Sequence, residues 1–187
     1  MKREIDNKTI LEEFTEEFCG VVEKHCCYII CSGFVAIAHG RSRGTENIDM
    51  IIEKLPKDKF IELHEALIKE GFECMQSSDS KEIYDEYLKE NDSVRYTRKG
   101  EFLPEMEIKF AKDSLDEEQL NTRTKLPFTG LNVYFSSIEG NIAFKEELLK
   151  AEKDLEDAWH LRIIYEGKIN EDEINRIKRE IREKRLK

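Results

Sequence analysis

FVAIAHGRSRGTENIDMIIE, residues 34–53, is an apolar run, a glycine, two arginines, a threonine and an Asn-x-Asp pair that leads straight into Met50-Ile51-Ile52. Apolar residues flanked by Gly44 and Glu53 predict a strand over 47–53. In a strand, residues two apart project on the same face. Asn47 and Asp49 therefore point the same way at the mouth of the strand, and two oxygen donors at that spacing suit Mg2+. Taken alone, the pair reads better as a turn Asn and a strand-edge Asp. The upstream residues add to it. Ser32-Gly33 ends a short buried strand over 27–31 and opens a short helix, Phe34 to His39, closed by Gly40. A small residue at such a turn lets backbone N–H groups approach a phosphate. Arg41, Arg43 and Thr45 lie on a polar loop between that turn and the pair, within reach of one triphosphate. His39 and Arg41 also read as ordinary exposed loop residues, and both arginines are expected to be exposed. Neither Gly-Lys-Ser/Thr nor G-x-G-x-x-G occurs, so the loop is not one of the common phosphate cradles.

Outward from this stretch, residues 9–24 predict a helix. Ile10, Phe14, Phe18, Val21 and Val22 recur at three-to-four spacing, and Thr9-x-x-Glu12 is a capping box. Pro56 opens a second helix running to Gly71, with Phe60, Leu63, Leu67 and Ile68 as its apolar stripe. Residues 72–76, 93–98, 102–111 and 132–135 read as strands, and 115–126 as weakly helical. From Ile138 the chain turns helical, with Phe144, Leu148, Ala151, Leu155 and Ala158/Trp159 on one face up to Gly167. Ile174, Ile177 and Ile181 then mark an amphipathic tail helix. The order predicts an α+β domain: a mixed sheet flanked by helices over 1–137, with a C-terminal helical region over 138–187 packed on it.

The 187 residues carry a net charge of -10, which disfavours a protein that coats nucleic acid through non-specific phosphate contacts. The tail 174–187 is the exception, with seven Lys/Arg against two Glu. It reads as a solvated helix end or as a contact for RNA or a partner. The opening residues are charged and never become apolar, and no run approaches the ~18 apolar residues of a membrane span. That predicts a cytoplasmic protein with no membrane partner. Five cysteines are expected as free thiols. Cys27 and Cys31 fall on one face of an apolar strand, which argues against zinc.

The stretch CSGFVAIAHGRSRGTENIDMII resembles the signature of the DNA polymerase β-like nucleotidyltransferase superfamily. That signature is Gly, Gly or Ser, nine to thirteen residues, then Asp, a hydrophobic residue, Asp or Glu, and another hydrophobic residue. Here Gly33 takes the second small position, thirteen residues intervene, and Asn47-Ile48-Asp49-Met50 completes it. The chain looks most like the small prokaryotic members, among them abortive-infection and toxin nucleotidyltransferases. It departs in three places: Ser32 stands for the usual Gly, Asn47 for the usual first Asp, and a Glu for the usual third acid.

The resemblance implies that third carboxylate on a neighbouring strand. Glu107 in Met106-Glu107-Ile108-Lys109-Phe110 fits it, with Glu105 on the same face as the fallback; the alternative is an ordinary exposed Glu/Lys strand face. It also implies a lysine and then acids on a helix after the sheet, which Lys145, Asp154 and Asp157 resemble. Lys145 would reach the triphosphate, and Asp157 would orient Lys145 or an arginine. The implied chemistry is transfer of NMP from an NTP, ATP being the usual one, to an acceptor hydroxyl on RNA, protein or a small molecule. It calls for Mg2+ or Mn2+ held by Asn47, Asp49 and Glu107, with Ser32, Gly33, Arg41, Arg43, Thr45 and Lys145 on the nucleotide. A toxin-type enzyme would also have an antitoxin-like protein partner. Asn47 leaves a second reading open: an inactive member that binds a nucleotide or a partner.

Overall fold

The computed structural model describes residues 8–45 and 47–187; the charged opening residues 1–6 lie outside the described residues. Helix α1 spans Ile10–Val22 and carries both bonds of the expected capping box on Thr9 and Glu12. Strand β1 (Tyr28–Cys31), helix α2 (Gly33–Ala38) and strand β2 (Asn47–Ile52) follow. Helix α3 (Lys57–Lys69) leads to β3 (Phe72–Cys74). Helix α4 (Ser80–Glu82) continues through a π turn, Ile83–Tyr87, and a 3-10 turn, Leu88–Glu90. Strands β4 (Val94–Arg98) and β5 (Glu105–Phe110) complete the sheet. The remaining helices are α5 (Ser114–Asn121), α6 (Ile138–Phe144), α7 (Glu152–Ile164) and α8 (Glu171–Arg185).

The sheet order is β1-β2-β5-β4-β3. Strands β2 and β5 run parallel at its centre, and every other pairing is antiparallel. It is a mixed sheet flanked by helices, as expected. The period of two along β2 and β5 sorts the residues. Ile48, Met50 and Ile52 join Met106, Ile108 and Phe110 in the main core, with Phe14, Phe18, Phe60 and Leu63 of α1 and α3 against them. The other face presents Asn47, Asp49 and Ile51 beside Glu105, Glu107 and Lys109 in matching register. Burying a Phe or Ile side chain contributes about 1.5–3 kcal/mol, so a register slip that exchanged the two faces would be prohibitive.

Several expectations shift. Ile10 and Ile68 are exposed, at the ends of their helices, and the buried stripe of α3 takes His64, whose ring bonds the Tyr96 hydroxyl at 2.7 Å. Phe102 and Leu103 lie outside β5 and are exposed. Residues 132–135 form no strand: only Phe135 pairs, bridging Ile30 and Thr124. Val133 and Phe135 are buried as two side chains inserted under the core. The single face drawn from Phe144 to Trp159 is broken at Lys150, whose φ of 57° ends the π turn over Lys145–Leu149. Helix α7 restarts with its own phase. Asp154, Asp157, Ala158 and Leu161 face inward, and Leu155 and Trp159 face out.

The tail behaves differently from either alternative. Ile174, Ile177 and Ile181 of α8 are core residues. Five of the seven basic residues pair with acids of this chain: Arg176, Lys178, Arg182, Lys184 and Arg185. Among the described residues no helix is long and apolar enough to cross a membrane.

Candidate active site

Matching register across four strands builds a row over the sheet. Cys31 pairs with Asp49, Asp49 with Glu107, and Glu107 with Arg95 of β4. Lateral neighbours in a sheet share a face, so Asp49 and Glu107 stand side by side. Asn47 lies one step down β2, its Nδ2 donating to Glu107 Oε2 at 3.5 Å. The three residues converge. Ser93 donates to Glu107 Oε1 at 2.9 Å, and Arg95 Nε lies 3.4 Å from Oε2 and 3.6 Å from the Glu105 carboxylate. Arg95 was not among the expected site residues. Its signal was its own phase on a strand next to the acids, readable only once β4 is placed beside β5.

Asp49 is held above the ordinary carboxylate range. Burial is the largest cause. A hydrogen bond from the Ser32 hydroxyl pulls the other way, and the charge of Glu107 pushes up again. The Cys31 thiol, paired with Asp49, is pushed up to about 12, first by burial and then by the Asp49 charge. Because the folded state raises the Asp49 pKa, its contribution favours folding below the usual carboxylate value. That contribution is lost as pH rises through the raised one. At neutral pH the ionised carboxylate is therefore a cost. Asp49→Asn should raise the melting temperature of the metal-free protein by a few degrees at pH 7–8. The gain should fade as pH drops below about 4, where the wild-type group is neutral too. A thermal-melt series against pH decides it; a variant less stable at pH 8 refutes the burial argument.

Ser32 precedes α2 with φ 66° and ψ -138°, a conformation that favours glycine. A serine held there costs on the order of 1–3 kcal/mol and aims its hydroxyl at Asp49. Gly33 answers a different demand. A Cβ at this position would come within 3.1–3.3 Å of the Arg43 guanidinium, which lies across the backbone. Thr45, expected on the nucleotide, gives its hydroxyl to the Asn47 carbonyl at 2.8 Å and so shapes the entry to β2.

Arg41 and Arg43 are not exposed. Their side chains are 16% and 15% accessible, and both pair with Asp157 of α7, which is fully buried. Arg41 also pairs with Glu156 and donates to the Lys153 carbonyl at 3.1 Å. Lys145, 1% accessible, reaches Asp157 Oδ2 at 2.9 Å and lies 4.0 Å from Asp154. One carboxylate thus organises three cations from the 41–43 loop and the helical region. His39, read as exposed, is buried between the Val35 carbonyl, at 2.7 Å, and the Tyr165 hydroxyl, at 2.8 Å.

A cavity of ≈ 200 Å³ opens between the sheet and the helices, lined by Ser32, Asp49, Lys109 and Lys145, with Asp116, Gln119, Asn141 and Arg185 also on its walls. The last four and Lys109 had no motif to mark them. Among the described residues no group of three or more His, Cys, Asp or Glu side chains is placed to hold a metal ion. Two carboxylates and the Asn47 amide are nevertheless an all-oxygen set of the kind Mg2+ takes. The charge of Glu107 against a half-buried Asp49 is the repulsion a cation relieves.

No family model matches the chain, and no curated protein matches it in sequence. Its backbone does match solved structures. It superimposes on the solution structure of the antibiotic-resistance factor ANT(2'')-Ia with a TM-score of 0.53 at 13% identity, over 94% of this chain and 93% of that one. The crystal structure of ANT(2'')-Ia in complex with adenylyl-2''-tobramycin gives 0.55 at 15% identity, over 94% and 98%. An antigenic nucleotidyltransferase-like protein from Paracoccidioides brasiliensis gives 0.50 at 17%, over 95% and 90%. The chain has the fold of these nucleotidyltransferase structures.

Proposed function

We propose that this protein transfers the NMP group of an NTP to an acceptor hydroxyl. The observation that supports it most is the lateral Asp49–Glu107 pair, with Asn47 beside it, on the central parallel strands. The fold, shared over 94% of the chain with a nucleotidyltransferase structure, agrees. The acceptor hydroxyl attacks the α-phosphorus, a P–O bond forms, and the bond to the pyrophosphate oxygen breaks. Asp49, Glu107 and the Asn47 oxygen would hold Mg2+ or Mn2+, which when bound supplies charge for the phosphoryl oxygens. Glu107, which accepts from Ser93 and Arg95, would take the acceptor proton. Ser32 and Gly33 bring backbone close to the phosphates, and Thr45 keeps the strand entry in shape. Arg41, Arg43 and Lys145 neutralise the triphosphate by sharing it with Asp157.

The acceptor belongs to one of three classes: RNA, a protein side chain or a small polyhydroxyl molecule. ANT(2'')-Ia is seen in complex with adenylyl-2''-tobramycin. A toxin-type enzyme with an antitoxin-like partner is the form this activity takes in the prokaryotic members the sequence resembles. The 1–137 core would carry the metal ligands and the 138–187 region the counter-wall of the site. The Asn47 substitution favours a second reading, a protein that binds the nucleotide without turning it over.

Incubation with α-labelled NTPs, Mg2+ or Mn2+ and each acceptor class tests both. Label should pass to one class, and Asp49→Ala should reduce it by at least 1000-fold. Metal-dependent NTP binding without transfer to any class leaves the second reading; no binding at all removes both.

A further inference from the structure

The cavity beside Asp49 is too small for a whole nucleotide. Sites that take drug-sized ligands run to about 300–1,000 Å³, and this one measures ≈ 200 Å³. It accommodates one ring system. Ile51, Phe144 and Leu148 give it apolar walls, Gln119 and Asn141 neutral polar ones, and Lys109, Asp116, Lys145 and Arg185 charged ones. Asp49 is among its lining residues, so a ring seated here lies next to the proposed metal ligands.

Asn141 fixes the chemistry. It is only 4% exposed, at the second turn of α6. Its Nδ2 donates to the Ser136 carbonyl at 3.1 Å, the Ser136 hydroxyl at 2.7 Å and the Ser137 carbonyl at 3.0 Å. Two of those partners are carbonyls, which only accept, so the amide cannot turn over without setting oxygen against oxygen. The Oδ1 atom accepts from no described residue. Yet among the described residues no fully buried side-chain polar atom lacks a partner. The oxygen is therefore open, and the open space that Asn141 lines is the cavity. The pocket thus presents a fixed acceptor that has no partner among the described residues. Gln119, on α5, is the adjustable partner, since its amide can offer either a donor or an acceptor.

We infer that this cavity receives the base of the nucleotide and, through Asn141 Oδ1, selects one with its amine at position 6 of a purine or 4 of a pyrimidine, that is adenine or cytosine. The inference rests on the nucleotidyl-transfer reading and specifies its donor substrate. An amine at ring position 6 of adenine or 4 of cytosine donates to that oxygen. Guanine and uracil carry a carbonyl there, which would face it lone pair to lone pair. A site built around one hydrogen-bonding group discriminates strongly against a ligand that cannot complete it. The expected preference is roughly ten- to hundred-fold.

The experiment is calorimetric titration of the wild-type chain, with Mg2+, against non-hydrolysable analogues of ATP, CTP, GTP and UTP and against inorganic triphosphate. ATP or CTP should bind at least ten-fold more tightly than GTP and UTP. Gln119→Trp, which fills the cavity from its rim, should reduce ATP to the affinity of inorganic triphosphate while leaving inorganic triphosphate unchanged. Equal affinity for all four nucleotides overturns the base assignment and leaves nucleotidyl transfer standing. So does full ATP affinity in Gln119→Trp, which would assign the cavity to something other than the base. No binding of any nucleotide or of triphosphate overturns both. The wild-type ranking decides the matter even if the variant fails to fold.

Discussion

Asp157→Ala should destabilise the protein by about 3–5 kcal/mol, the loss expected when one partner is removed from a buried ion pair. For a chain of this length that is a fall in melting temperature on the order of 10 °C. Arg41 and Arg43 are partly accessible and can turn to water. Lys145 cannot: at 1% accessibility, its remaining acid is Asp154 at 4.0 Å. The loss should therefore depend on Lys145. In the double variant Lys145→Met/Asp157→Leu, a methionine fills the space without a charge to satisfy. It should recover at least half of the stability lost in Asp157→Ala. Denaturant titration of the two single variants and the double measures the coupling. Strictly additive effects would mean that Asp157 matters for packing and not as the counter-charge of Lys145.

Asn47→Asp should tighten Mg2+ or Mn2+ binding by ten-fold or more. It restores a full charge beside two carboxylates that already converge. At an effective dielectric near 20, one extra unit charge a few ångström from a divalent ion is worth several kcal/mol before desolvation is subtracted, and part of that survives. The same change should lower the melting temperature of the metal-free protein. Asn47 now donates to Glu107; an aspartate would repel it, next to an Asp49 already burdened by burial and by the Glu107 charge. Metal should then raise the variant's melting temperature more than the wild type's. Thermal melts with and without metal, and metal titration, give both numbers. A variant with no gain in metal affinity would remove residue 47 from the metal site.

The site's central geometry was legible because it is written locally. Alternation over 47–52 and 105–110 places Asn47, Asp49 and Glu107 on one face, and only the pairing of the two strands remained to be supplied by the fold. The amphipathic tail was legible too, from three isoleucines at helical spacing, but not what its basic residues meet. Asp113, Glu118 and Glu146 come from α5, its cap and the π turn, elsewhere in the sequence, and nothing within 174–187 points to them. Arg41 and Arg43 failed as exposed residues because the local loop pattern could not pair them with Asp157, more than a hundred residues away, although the resemblance had set that acid beside Lys145 or an arginine. The helical face across 144–159 failed on backbone geometry. Periodicity assumes an unbroken helix, and the left-handed Lys150 resets the phase. The cavity was invisible because Gln119 and Asn141 carry no motif and acquire their meaning from the space between α5 and α6.

The pairing of β2 with β5 also sets the order in which this protein can become itself during synthesis. The two residues bridged at the heart of the site, Asn47 and Glu107, are sixty positions apart in the chain. Between them the ribosome must deliver α3, β3, α4 and β4. Parallel pairing at that separation is slow to nucleate, because the intervening loop must be ordered before the strands reward it. Until β5 emerges, β2 has only β1 beside it, and one edge of its Met50-Ile51-Ile52 run is open. An open apolar strand edge invites another chain. A nascent chain of this protein therefore passes through a stretch of translation in which a holdase chaperone would find the very strand that later carries the acids.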